Sequence, residues 1–106
     1  MEGLHYLSYF IGGTFLANAV PHTVSGMMGR PFQSPFAKPM GKGLSSSTVN
    51  VLWGFFNLAL GYVLVLQVGN FDVRAIVDAV SLGLGVLVMG IVHARMFGKL
   101  HGGDSQ

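Results

Sequence analysis

The sequence predicts an all-α, polytopic membrane protein with three transmembrane helices, at about residues 4–27, 48–68 and 72–97, and a Pro-rich interfacial loop between the first two. Three observations lead there. Hydrophobic residues make up 51% of the 106 residues and charged ones only 9%, too few charges to cover a soluble globule of this size. The apolar residues fall into long blocks, close to the ~20 residues that span a bilayer core, with none of the alternation of soluble strands. Between the blocks stand clusters of Ser, Gly, Pro and Asn, which end helices. A chain of this length has room for a single domain, 1–106.

The first block starts at Leu4 and continues past Pro21. Ala17-Asn18-Ala19 has the small-residue pattern of a signal-peptidase site, but the segment before the block carries Glu2 and no Lys or Arg, the wrong flank for a signal peptide. It is therefore read as a retained span. The second block follows Ser45-Ser46-Ser47-Thr48, four candidate N-cap hydroxyls, and stops at Gly69-Asn70. The third begins after Asn70 or Asp72, either able to cap a helix, and runs to about Phe97 before Gly98. The short connection makes the second and third helices an antiparallel hairpin.

Arg30, Lys38 and Lys42 lie in the first loop and Arg95 and Lys99 at the C-terminal end, against Arg74 alone in the second loop. The positive-inside rule then places the first loop and the C-terminus in the cytoplasm and the N-terminus outside, in the cell inner membrane or another membrane. Tyr6, Tyr62 and Phe71 fall near the outer boundary, and Trp53 and Phe97 near the inner one. The first loop contains three Pro-led steps, Pro31-Phe32, Pro35-Phe36 and Pro39-Met40, which block a regular helix while leaving large apolar side chains to bury. A loop lying along the inner interface meets both demands; a lid or a docking surface for a partner is the sharper reading.

Several chemistries are excluded. The chain has no cysteine, hence no disulfide or thiolate chemistry, and six Lys and Arg spread over loops form no nucleic-acid stripe. Gly41-Lys42-Gly43 lacks the upstream Gly and the Ser or Thr of a phosphate-binding loop. No catalytic triad or carboxylate pair occurs at a recognised spacing, so no enzyme activity is assigned.

What stands out is polar side chains inside the spans, each costing on the order of a few kcal/mol unless it finds a partner. Thr14, Asn18, His22 and Ser25 share a face of the first helix, and Asn50, Gly54, Asn57 and Gly61 share one of the second. Ala75, Ala79, Gly83, Gly90, His93 and Ala94 form a small-residue seam on the third. In the deduced orientation Asn18, His22, Asn50, Asn57 and His93 converge on the inner half, either as interhelical glue or as a cytoplasm-facing site for a small solute or a proton. Asp78 is the only acid inside a span, with Arg74 four residues earlier as a candidate ion-pair partner. His5 and His101 sit near the chain ends and are expected to be solvated.

Two functional readings follow. In the first, the chain is a non-enzymatic membrane module that acts as a homo-oligomer or as an accessory subunit of a larger membrane complex. In the second, it is a redox protein with haem iron held axially by His22 and His93.

Overall fold

The computed structural model describes residues 2–103. The order is α1 (Glu2–Met27), β1 (Phe32–Gln33), β2 (Leu44–Ser45), α2 (Ser47–Tyr62) running into a π-helical turn (Val63–Gln67), and α3 (Ile76–His101). The 26 residues of α1 and of α3 each make about 39 Å of helix, matching the molecule's 40 Å long axis. Two helices, Ser47–Gln67 and Ile76–His101, are long and apolar enough to cross a membrane.

α1 lies between the other two and packs along both, while α2 and α3 make only marginal contact with one another. The hairpin expected from the short second loop is therefore opened by α1. This position explains why α1 is less apolar than its neighbours: two of its sides face helices, and there small and polar residues serve better than Leu. Its adjacent glycines each admit a different neighbour. A side chain at Gly12 would meet Val65 Cγ2 at 2.6 Å, and one at Gly13 would meet the backbone of Leu82 and Gly85 on α3.

The packing face of α2 is the expected one, since Asn50, Gly54, Asn57 and Gly61 are its buried residues. On α3 the face differs. Gly83 and Gly90 have open space around them, whereas Asp78 and Gly85 are buried and Gly85 meets the carbonyl of Phe10. Gly83 and Gly90 of the small-residue seam thus point away from α1, while its His93 lies with Gly85, eight residues earlier and so on one face, against α1.

The start of α2 is as expected, and the other helix ends depart from expectation. Ser46 caps α2, its Oγ accepting from Val49 N–H at 3.2 Å. The end of α2 is π-helical, and there Ser8 Oγ donates to the carbonyl of Leu64 at 2.6 Å. α3 starts at Ile76, later than expected, because Asp72 is spent on a turn: its Oδ1 accepts from Arg74 N–H and its carbonyl from Ala75 N–H. At the other end α3 runs through Gly98 to His101 and stops at Gly102, in the left-handed conformation at φ 80°.

Candidate functional site

The first loop doubles back as a short antiparallel hairpin, with Phe32 opposite Ser45 and Gln33 opposite Leu44. It folds under the bundle and closes one end. Phe32, Gln33 and Ser34 are buried, and the Phe32 ring packs on Phe97 at 4.8 Å and on His22 at 5.6 Å. Of the three Pro-led steps only the first buries its large side chain; Phe36 and Met40 stay exposed. Ser34 holds the hairpin, sharing a 2.5 Å hydrogen bond with Ser45 Oγ while its carbonyl accepts from Ala37 and Gly41.

Above this plug the five inner residues named from the sequence meet in two adjoining networks. In the first, Asn57 Nδ2 donates to the carbonyl of Trp53 at 2.8 Å, which orients that amide. Its Oδ1 then accepts from Asn18 Nδ2 at 2.9 Å, so Asn18 Oδ1 accepts from His93 Nε2–H at 2.8 Å. One chain of side chains thus ties α3 to α1 and α1 to α2. In the second, Asn50 Nδ2 faces three carbonyls, those of Phe32, Ser45 and Ser46, at 3.0–3.2 Å, so its Oδ1 accepts from His22 Nδ1–H at 2.8 Å. Asn50 and Asn57 are both 0% exposed. Thr14 takes no part, its hydroxyl bonding back to the carbonyl of Ile11.

Beside the networks lies a cavity of about 320 Å³, lined by Asn18, His22, Gln33, Ser34, Trp53 and Phe97 among others. Among the described residues no Lys, Arg, Asp or Glu lines it. His22 is 3% exposed and, with Nδ1 committed to Asn50, its Nε2 has no partner among the described residues. The indole N–H of Trp53 is enclosed and also unpartnered.

Gln33, Ser34 and His101 belong to this end of the molecule although their spacing in sequence does not announce it. His101 is exposed overall, but its Nε2–H donates to Gln33 Oε1 at 2.8 Å and its ring lies 5.4 Å from Phe32. It is a clasp on the plug, and not simply a solvated end residue. The extra turn of α3 beyond Gly98 is what brings it there.

The two histidines named as haem ligands share a wall, since the Phe97 ring packs at 5.0 Å from His93 and 6.3 Å from His22. Each also spends one ring nitrogen on an asparagine, His22 Nδ1 on Asn50 and His93 Nε2 on Asn18. Among the described residues no group of three His, Asp or Glu is placed to hold a metal ion.

Asp78 lies at the opposite end. Its Oδ2 accepts from the backbone N–H of Asp72 at 2.9 Å, and the expected ion pair with Arg74 does not form, because the turn at Asp72 leaves Arg74 exposed. Compared with known proteins, the chain matches no family model, no curated protein and no solved structure.

Proposed function

We propose that the chain is a three-span membrane protein, N-terminus outside and C-terminus cytoplasmic, that works as an oligomer or as a small subunit of a larger membrane complex and receives a small neutral polar solute at its cytoplasmic end. α1 is as long as α3 and lies along both neighbours, which supports a third span despite its polar content. Five of the six basic residues belong to the plugged end, which supports the orientation.

The observation that carries the solute reading is the enclosed, unpartnered indole N–H of Trp53, which shares the cavity wall with His22, whose Nε2 is unbonded among the described residues. Buried polar groups without partners are uncommon and point to an occupant. The absence of lining charge favours a neutral one. Proton conduction is less well supported. The chain from His93 consists of amides and ends on the carbonyl of Trp53, and amide N–H groups do not exchange protons along such a chain at neutral pH.

The test is uptake of small neutral solutes, such as acetamide, urea and glycerol, into vesicles containing the purified protein. His22→Phe should stay folded and lose uptake or binding of the solute that the native protein takes. Equal behaviour of the two proteins toward every solute would remove the site.

A further inference from the structure

At the end opposite the plug, Glu2, His5, Tyr6, Tyr9, Asn70 and Asp78 line a second cavity of about 270 Å³. It is separate from the inner site in residues and in position. From these groups we infer a binding site for a small primary ammonium ion.

Asp78 is 9% exposed, and only its Oδ2 is bonded, to the N–H of Asp72. Its Oδ1 is not sealed off and has no hydrogen-bond partner among the described residues, and no cationic side chain pairs with it there. A carboxylate this enclosed at a membrane-spanning segment is costly without a counter-charge. Tyr9 supplies an independent sign of an occupant. It is 2% exposed, yet its hydroxyl has no hydrogen-bond partner among the described residues, and it lines the same cavity.

The walls specify the class of cation. The rings of Tyr6 and Tyr9 stand 6.4 Å apart and edge to face, and Phe71 backs Tyr9 at 5.1 Å, so aromatic surface lies beside the carboxylate. Rings attract an organic cation through their faces and shelter its alkyl part. A primary ammonium also has three N–H donors, and Asp78, Tyr9 and Asn70, all on the cavity wall, each carry an acceptor oxygen. Gly69 makes the arrangement possible, because a side chain there would lie 2.5 Å from Tyr9 Oη and 2.9 Å from the His5 ring.

The experiment is calorimetric titration of the detergent-purified protein with butylammonium chloride, with n-butanol, tetramethylammonium and sodium chloride as comparisons. Butylammonium should bind and n-butanol should not. Asp78→Asn, whose amide oxygen can still accept from Asp72 N–H, should weaken binding about tenfold or more. Tyr9→Phe, which removes a hydroxyl unbonded in the free protein and keeps the ring, should stay folded and bind about threefold more weakly. Tetramethylammonium, with no N–H to donate, should bind more weakly than butylammonium. No butylammonium binding, equal binding of n-butanol, unchanged binding by a folded Asp78→Asn, or tetramethylammonium binding as tightly would overturn the proposal. So would full displacement by sodium at equal concentration, which would make this an inorganic cation site. None of these outcomes bears on uptake at the inner site, whose variants lie at the other end of the helices.

Discussion

Nε2 of His93, two thirds of the way along α3, donates to Oδ1 of Asn18, at a similar point of α1, at 2.8 Å, across 75 residues of sequence. That bond sets the rotation of α3 and begins the chain that passes through Asn57 to α2. Because each amide in it is used on both sides, its members hold helices together, while His22 keeps one ring nitrogen unbonded among the described residues.

Asn57→Leu should therefore act on stability. It leaves Asn18 Nδ2 without its acceptor and should cost about 1 kcal/mol, in the range of hydrogen bonds between membrane helices. His93→Phe should cost a similar amount, and the double variant less than the sum, because both remove links of one chain. Unfolding of the detergent-solubilised protein by increasing SDS measures all three. Strict additivity would show that the chain is not cooperative.

Gly85→Leu should destabilise the molecule strongly, since the added side chain meets the backbone of Phe10. Gly83→Ala and Gly90→Ala have open space and should be neutral or stabilising by up to about 1 kcal/mol through helix propensity. Melting temperatures in detergent distinguish the two faces; the reverse order would restore the seam read from the sequence.

Asn50→Ala should loosen the plug, because it removes three hydrogen bonds to loop carbonyls and the partner of His22. Gln33→Leu removes only the His101 clasp and should loosen it less. Hydrogen exchange at Phe32–Ser45 should rise in that order. No change in either variant would mean that the hairpin is held by Phe32 and its aromatic neighbours alone.

A reporter fused after Gln106 should be active in the cytoplasm and a tag before Met1 should be reachable from outside. Opposite results at both ends would invert the orientation and put the His22 cavity on the outer side.

The sequence by itself determined the helical class, the approximate positions of the three long helices and the residues of the polar cluster. These depend on local quantities: the length of apolar blocks, the hydroxyl cap at Ser46, and the cost of placing Asn18, His22, Asn50, Asn57 and His93 in apolar segments. Helical spacing was enough to place Asn50, Gly54, Asn57 and Gly61 on the buried face of α2. Spacing within one helix cannot say which neighbour a face meets, and there the tertiary structure decided. It put α1 between α2 and α3, turned Gly85 inward and Gly83 and Gly90 outward, and detached Asp78 from Arg74. It also carried α3 past Gly98 so that His101 reaches Gln33, a pairing across 68 residues. The physical reason is that glycine at a helix end and glycine at a close crossing look alike in sequence. Only the backbone that approaches it, as Phe10 approaches Gly85 and nothing approaches Gly83, tells them apart.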